Sequence, residues 1–532
     1  MPTNAWRATA ATALAAALLS TGACSDGGDP KKTTADGGKD PKPLAWGECS
    51  APTAAQGGGQ VPPKDWQCAT LDVPLDYAEP EGETVPIALI RAKARDQGNR
   101  IGSLVFNFGG PGASGITALT GTAQQFEALR SKYDLVGFDP RGVGASAPVR
   151  CEDDKQLDTY YAQDSSPDTP QKEAAFLDTN KAYQQACRAK SGKLLPHVGT
   201  PDAARDLDRI RQALGDDKLH YIGFSYGTEL GGVYAHLFPK NVGRAVFDAV
   251  VDPTKTPEES ALGQAKGFQL ALDNFAQDCV DRGDACRLRG STAKEVEATV
   301  IELQKSLAAK PIAGIGDRKL TESAATSGIA SALYSKETWP LLEQGIDEAE
   351  GGQGQLLLRL SDALNGRDPG GRYSNIGAAN TAINCADSKQ RYTLEQTKAK
   401  LPAFRAASPV FGDFLGWAML SCSDWPVAGA SDTPDVSAPG SAPILVIGNT
   451  GDPATPYEGA RNMVERLGPG VGVELTYKGE GHGAYTTGDR CVQDAVNTYL
   501  LEGKAPAANT VCTAPADPSG GHDEEAVPPT AV

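Results

Sequence analysis

Three residues that lie far apart in the chain could together cleave an acyl bond. Ser225 stands between two glycines in GFSYG, after an apolar, β-prone run and before a segment compatible with a helix. A strained turn between strand and helix needs such glycines, because a Cβ on either neighbour would collide, and the strain lifts the serine hydroxyl above the sheet edge. Asp452 and His482 follow two later strand-like runs, PILVIG and GVELTY. We expect a nucleophile, an acid and a base in this chain order.

Each residue of this set has a separate chemical task. His482 would take the proton of Ser225 and return it to the leaving group, while Asp452 would fix the tautomer of the imidazole and stabilise its charged form. The five-residue pattern alone is weak evidence in a chain with 60 glycines. Its position between a strand and a helix, and the partners downstream, favour catalysis over an ordinary turn.

A second glycine-rich loop follows the buried-strand pattern of residues 101–108. It reads GGPGASG, and its backbone N–H groups could hold an oxyanion. A phosphate-binding loop is the alternative, but no GKS or GKT follows. Further on, Asp139 and Arg141 stand in FDPRGVGAS, where we expect an ion pair that organises the loop.

The pattern of the chain predicts a parallel α/β sheet with an inserted helical lid. Strand-like runs at 101–108, 133–138, 219–224 and 244–251 alternate with helical segments, and sites in such sheets lie at the carboxyl ends of the strands. The stretch after residue 256 is mostly amphipathic and helical instead. The predicted organisation is a signal segment 1–24, a disordered linker 25–45, a first core part 46–256, a lid 257–440, a second core part 441–515 and a disordered tail 516–532.

Export is indicated at the N-terminus. One arginine, a short apolar run and small residues before Cys24 resemble a bacterial signal with a lipobox, so Cys24 would be lipidated; simple secretion is the alternative. The ten other cysteines form an even set, which favours disulfides in an exported protein. Pairing of neighbours in order would join 49 with 68, 151 with 187, 279 with 286, 385 with 422 and 491 with 512.

Composition restricts the partners. The net charge of −17 argues against nucleic acid, which needs a basic surface. A zinc site is disfavoured because the chain has no CxxC pair and its five histidines are scattered, so we expect no metal and no cofactor. We expect a monomer that touches a membrane only through a lipid on Cys24.

The chain resembles a known family in five motifs, and the resemblance covers residues of roughly 45 to 515. The motifs are GGPGASG, FDPRGVGAS, GFSYGTELGG, GNTGDPATP and GEGHGAY. In these motifs the chain is similar to the secreted tripeptidyl aminopeptidases of actinobacteria, in the prolyl-aminopeptidase branch of the α/β-hydrolases. The resemblance implies an α/β-hydrolase fold, a triad of Ser225, Asp452 and His482, and an oxyanion hole formed by the amides of Gly110 and Tyr226.

The resemblance also implies the reaction, which is the removal of short fragments from a free N-terminus. Prolyl aminopeptidases usually carry His before GGPG, whereas this chain has Phe108, so a restriction to proline is not expected. An exported carboxylesterase with the same triad is the alternative, and a binding protein without chemistry is the remote one. A free amine calls for carboxylates under the lid, and the candidates are Asp387 and Asp424, unless these acids only cap helices or face solvent.

Overall fold

The computed structural model describes residues 41–515. The predicted signal segment with Cys24, residues 25–40 of the predicted linker, and the predicted tail 516–532 lie outside the described residues. Within residues 41–515, no helix has the length and apolar character needed to cross a bilayer.

A nine-stranded sheet and a separate two-stranded one contain the strands of the described chain. The strands are β1 (Trp66–Pro74), β2 (Thr84–Ala92), β3 (Gly102–Asn107), β4 (Tyr133–Phe138), β5 (Leu219–Phe224), β6 (Val242–Asp248), β7 (Ile312–Ala313), β8 (Lys319–Leu320), β9 (Ile444–Gly451), β10 (Gly472–Glu480) and β11 (Thr510–Thr513). The large sheet has the order β1-β2-β4-β3-β5-β6-β9-β10-β11. Among the described strands of this sheet, β2 alone runs in the opposite direction, so the prediction of a mostly parallel α/β-hydrolase sheet is confirmed.

Helices connect the parallel strands and fill the segment between β6 and β9. They are α1 (Gly115–Thr122), α2 (Glu127–Arg130), α3 (Asp154–Tyr161), α4 (Pro170–Ser191), α5 (Thr200–Leu214), α6 (Tyr226–Leu237), α7 (Pro257–Arg282), α8 (Ala293–Ala309), α9 (Glu322–Leu333), α10 (Trp339–Glu350), α11 (Gln355–Leu364), α12 (Ile376–Asp387), α13 (Leu394–Ala407), α14 (Gly412–Trp417), α15 (Glu458–Leu467) and α16 (Arg490–Glu502). Capping side chains start several of them; Thr256, for example, accepts a hydrogen bond from Glu259 N at the start of α7.

The central strands are buried on both faces, which explains their continuous apolar runs. On β9, Ile444 and Val446 pack in one apolar cluster with residues of α5 and α6, while Leu445 and Ile447 pack in the opposite cluster with residues of α16. Successive side chains of a strand point to opposite faces, so each strand contributes to two cores. The carboxyl ends of these strands are thereby held at one rigid edge.

The segment between β6 and β9, which we call the lid, has an apolar core of its own. Buried side chains from α7 to α11 form it, among them Phe268, Leu272, Val300, Ile329, Leu342 and Leu357. The lid also contains the short hairpin of β7 and β8, which the sequence does not predict. Strands of two residues are too short to show an alternating pattern.

The ten cysteines of the described chain form five disulfides, as predicted, and the pairing is that of neighbours in the chain, which the sequence alone left open. The pairs are Cys49–Cys68, Cys151–Cys187, Cys279–Cys286, Cys385–Cys422 and Cys491–Cys512. Every cysteine between residues 41 and 515 is therefore paired, and none of the loops closed spans more than 37 residues.

Candidate active site

Ser225 occupies a strained turn between β5 and α6. Its backbone has φ 54° and ψ −126°, a conformation that non-glycine residues adopt at a cost of about 1–3 kcal/mol. A Cβ added to Gly227 would lie 2.6 Å from the carbonyl oxygen of Asn107, and one added to Gly223 would collide with the carbonyl oxygen of Gly227. The glycines on both sides are therefore required by the close packing of the turn, for the reason inferred from the sequence.

Hydrogen bonds from two directions hold this turn in place. The N–H of Ser225 donates to the carbonyl oxygen of Asp248, the last residue of β6, at 3.0 Å. The carbonyl oxygen of Ser225 accepts from the N–H of Thr228 at 2.8 Å and from its hydroxyl at 2.7 Å. The strained conformation is thus fixed by the neighbouring strand and by the first turn of α6.

Asp452 and His482 lie side by side at the ends of neighbouring strands. Asp452 directly follows β9 and is 2% exposed, and His482 follows β10. Nδ1 of His482 lies 2.8 Å from Oδ1 and 3.0 Å from Oδ2 of Asp452. A carboxylate can only accept, so Nδ1 carries the hydrogen and Nε2 is left free to accept a proton.

The carboxylate of Asp452 is itself held by its own loop. Oδ1 accepts from the N–H groups of Ala454 and Thr455, both at 2.9 Å, and Oδ2 accepts from the hydroxyl of Thr455 at 3.0 Å. That hydroxyl also lies 3.4 Å from Nδ1 of His482. Thr455 therefore orients the acid and contacts the imidazole, a role that the sequence patterns did not predict.

Two acids govern the titration of His482. Burial lowers the pKa of His482, but the charge and hydrogen bond of Asp452, together with the charge of Asp248, outweigh burial and raise this pKa above its usual value of 6.5. The imidazolium form is thus favoured, which suits a base that must carry a proton during the reaction.

The glycine-rich loop after β3 lies against the turn of Ser225. A Cβ added to Gly109 would be 2.8 Å from Cβ of Ser225 and 3.2 Å from the nitrogen of Tyr226. Tyr226 is the first residue of α6, so its N–H belongs to the turn that has no acceptor within the helix. Gly110 is exposed beside it, at φ 105°. The two amides named from the sequence for the oxyanion are thus on adjacent loops.

The lid contacts His482 directly. The N–H of His482 donates to the carbonyl oxygen of Tyr334 at 2.7 Å, and the two rings meet edge to face with their centroids 5.2 Å apart. Tyr334 directly follows α9, so the position of the histidine depends on a lid residue. The sequence gives no sign of this contact.

A cavity of about 390 Å³ lies between the lid and the core, and Gly110 and Tyr334 are among its lining residues. Helices α3, α4, α9, α12 and α14 contribute most of the others, including the aromatic side chains of Tyr160, Tyr161, Phe176, Tyr183, Phe414 and Trp417. The remaining lining side chains are amides, hydroxyls or apolar groups, and none of the described residues that line the cavity carries a charge. The cavity therefore presents an aromatic, uncharged surface next to the candidate site.

The two acids named as candidates for binding a substrate amine do not line this cavity. Asp387 accepts from the N–H and the hydroxyl of Thr200, each at 2.7 Å, at the start of α5. Burial raises the pKa of Asp387 to about 7, against these two hydrogen bonds. Asp424 is exposed, and its N–H donates to Gln184 Oε1. Asp387 therefore lies against the start of a helix and Asp424 lies at the surface.

The prediction of an ion pair between Asp139 and Arg141 is wrong, although both residues have structural roles. Arg141 is fully buried and pairs with Asp206, whose two oxygens lie 2.6 and 2.7 Å from the guanidinium. Asp139 instead accepts from uncharged donors, among them the hydroxyl of Ser114 at 2.6 Å and the N–H of Ala145 at 2.8 Å. Asp206 is 65 residues from Arg141, a separation at which the local motif could not reveal the partner.

Comparison with known families agrees with this fold. Residues 102–309 match the family described as alpha/beta hydrolase fold, and residues 408–512 match the family described as TAP-like protein. The central sheet, the strained serine turn and these two matches define an α/β-hydrolase enzyme.

Three relatives with assigned names narrow the class of enzyme within the α/β-hydrolases. Serine protease Hip1 of Mycobacterium tuberculosis is 38% identical over 485 residues, covering 88% of this chain and 91% of that protein. Tripeptidyl aminopeptidase of Streptomyces lividans is 34% identical over 86% of this chain and 85% of its own length. Carboxylesterase B of M. tuberculosis is 35% identical over 84% of this chain and 86% of its length. The chain belongs to the α/β-hydrolase family of serine peptidases that includes the tripeptidyl aminopeptidases.

Proposed function

We propose that this protein is an exported serine exopeptidase that releases short N-terminal fragments, tripeptides in particular, from peptides with a free amine. The observation that carries the proposal is the hydrogen-bonded pair of His482 and Asp452, which follows strands of the same mostly parallel sheet whose strand β5 leads into the strained turn of Ser225. The relative named tripeptidyl aminopeptidase supports the fragment length. The five disulfides and the leader pattern before Cys24 support export, with a lipid anchor or free secretion as the final state.

The reaction would proceed through an acyl-enzyme. Nε2 of His482 takes the proton of the Ser225 hydroxyl while Oγ attacks the scissile carbonyl carbon. The N–H groups of Gly110 and Tyr226 hold the oxyanion that forms. When the C–N bond breaks, the imidazolium gives its proton to the leaving amine; a water molecule, deprotonated by His482, then attacks the acyl carbon and releases the fragment with regeneration of Ser225.

The cavity between lid and core supports a peptide substrate. Its volume of about 390 Å³ lies within the range of about 300–1,000 Å³ that is common for ligand pockets. It adjoins Gly110, so side chains of the acyl part of the substrate would lie in it. Aromatic faces and neutral hydrogen-bonding groups, rather than Asp387 or Asp424, would surround these side chains. The net charge of −17 favours a peptide over a nucleic acid as the partner. We also propose that the enzyme acts as a monomer.

The test is mass spectrometry of the products from one peptide and its N-acetylated twin. The exopeptidase proposal predicts loss of the first three residues from the free peptide, no cleavage of the twin, and no products from the Ser225→Ala variant. Equal cleavage of both peptides would leave a serine peptidase that does not read the amine. Cleavage of neither, by an enzyme that still hydrolyses esters, would refute peptidase action.

Carboxylesterase action is the second candidate, since a relative of that name is 35% identical and the same triad cleaves esters. It predicts that kcat/KM for short acyl esters exceeds kcat/KM for every tripeptide amide of matched acyl chain. Measuring kcat/KM for both substrate series with one enzyme preparation distinguishes esterase action from peptidase action.

A further inference from the structure

One buried carboxylate outside the triad is connected to both the nucleophile and the base. Asp248 ends β6, has no exposed surface and lies between the strands that lead to Ser225 and Asp452: it pairs with Phe224 of β5 on one side and Ile447 of β9 on the other. Its backbone oxygen accepts the N–H of Ser225. This residue therefore joins the frameworks of two triad members through the sheet.

The side chain of Asp248 reaches the third member of the triad. Oδ1 accepts from the N–H of Ala484 at 3.0 Å, and Oδ2 accepts from the N–H groups of Ala484 and Tyr485 at 3.1 and 2.9 Å. Ala484 and Tyr485 follow His482 by two and three residues, so these bonds hold the loop that carries the base. The hydrogen-bond partners of the carboxylate are backbone N–H groups, and no cation pairs with it among the described residues.

A carboxylate in this position costs stability at neutral pH. Burial raises the pKa of Asp248 to about 6, and the charge of Asp452 adds to the rise, while the two loop N–H groups and His482 oppose it. A carboxyl group whose pKa is higher in the folded than in the unfolded chain destabilises the fold as pH rises above the unfolded value of about 4. Its ionised form at pH 7 thus weakens the fold while it faces His482.

We propose that Asp248 is a positioning residue for the hydrolytic reaction: it holds the loop of the base and adds a second negative charge facing the imidazolium that forms during turnover. The proposal rests on the proposed function, because it assigns Ser225 and His482 their catalytic roles. Among residues 41–515, the charged or titratable groups that face His482 are Asp452 from the loop after β9, Asp248 from β6 and the phenol of Tyr334 from the lid. Of these, Asp452 fixes the tautomer and Asp248 supports the imidazole from the adjacent strand.

Two substitutions separate the charge from the anchoring. In Asp248→Asn, an amide oxygen at the place of Oδ2 can still accept from both loop N–H groups, so the charge is lost together with only the second bond from Ala484, the one to Oδ1. In Asp248→Ala, both the charge and the hydrogen bonds are lost. Asp208→Asn is the matched control, since Asp208 is a buried acid whose partners, Arg211, Tyr234 and Asn241, belong to none of the triad loops.

The measurements are kcat and KM on a tripeptide amide, the pKa of His482 by NMR of ¹³C-labelled histidine, and the melting temperature at pH 7.5. In Asp248→Asn we expect kcat to fall roughly tenfold with KM little changed, and Asp248→Ala to approach a loss of about 100-fold, as small displacements of catalytic groups produce. The pKa of His482 should fall by about one unit in Asp248→Asn, as on removal of a nearby opposite charge. Asp248→Asn should melt no lower than wild type, whereas Asp208→Asn should melt lower and keep the wild-type kcat and pKa.

An unchanged kcat and an unchanged His482 pKa in Asp248→Asn would overturn the proposal. A lower melting temperature with unchanged pKa would overturn it as well, because the residue would then be only a structural anchor. If Asp248→Ala fails to fold, Asp248→Asn and the NMR titration decide. Ser225→Ala is measured alongside: full activity in that variant would reject the proposed function itself, while its inactivity beside a fully active Asp248→Asn rejects only the role of Asp248.

Discussion

Replacing Asp452 by Asn should invert the hydrogen bond to His482. Oδ1 of residue 452 accepts two backbone N–H groups, from Ala454 and Thr455, so the amide oxygen of an asparagine should take this place. Its NH₂ group then stands where Oδ2 lies, 3.0 Å from Nδ1 of His482. The amide oxygen lies 2.8 Å from Nδ1, but its two lone pairs are taken by the N–H groups of Ala454 and Thr455. The NH₂ group donates, so Nδ1 accepts and the hydrogen moves to Nε2. In that tautomer His482 cannot take the proton of Ser225.

The expected loss follows from this inversion. An Asp-to-Asn change that inverts the tautomer in a serine-protease triad lowers kcat by about 10⁴, which corresponds to roughly 5.4 kcal/mol in the activation barrier. The substrate cavity is untouched, so KM should change little. The pH profile should shift as well: in wild type, activity rises with pH as His482 becomes neutral, with a pKa above 6.5. Without the charge of Asp452, burial lowers that pKa, so the rising limb moves to lower pH.

The assay is release of a fluorophore from a tripeptide amide between pH 5 and 9, with Asp494→Asn, an exposed acid on α16, as the control. The control should match wild type at every pH. The role assigned to Asp452 would be refuted if kcat of the Asp452→Asn enzyme stayed within about tenfold of wild type. It would also be refuted if the rising limb of the pH profile did not move.

Three further outcomes are expected. Ser225→Ala should fold normally but lose turnover and labelling by a fluorophosphonate; labelling that persists would place the nucleophile elsewhere. Tripeptide amides with uncharged side chains should be cleaved at least tenfold more efficiently than those with Lys or Asp, because the uncharged cavity leaves a buried charge unpaired, and equal kcat/KM across such a panel would contradict this. Asp387→Asn should weaken hydrolysis of a tripeptide amide and of a small activated ester equally, since its carboxylate serves Thr200; a loss confined to the free-amine substrate would instead support the ammonium-binding role considered from the sequence.

Local patterns made part of this structure predictable. The turn of Ser225 needs small neighbours within two residues, so its glycines are visible in the sequence. The pairing of the disulfides also follows chain order, because each closes a short loop. The buried parallel strands stand out as apolar runs for the same reason: both of their faces are covered.

The features that the sequence did not reveal depend on contacts between segments that are distant in the chain. The edge strand β11 has four residues and exists only through its pairing with β10, so it has no pattern of its own. The aromatic residues of α3 and α4, such as Tyr160 and Phe176, look like ordinary helix residues until the lid is placed over them. Asp248 lies in an apolar run that reads as a plain buried strand, and its contact with the loop of His482 spans more than 230 residues.

The hydrogen bond from His482 to Tyr334 restricts how lids could be exchanged among enzymes of this fold. A lid is usually regarded as a module that supplies substrate specificity and that can be replaced without affecting the catalytic residues. Here a transplanted lid would also have to place a carbonyl oxygen within 2.7 Å of the backbone nitrogen of the histidine. A chimera that lacked this acceptor would be expected to bind the new substrate in its cavity and yet turn it over slowly. When lids are exchanged in this enzyme, the residue after α9 should therefore be kept with the core.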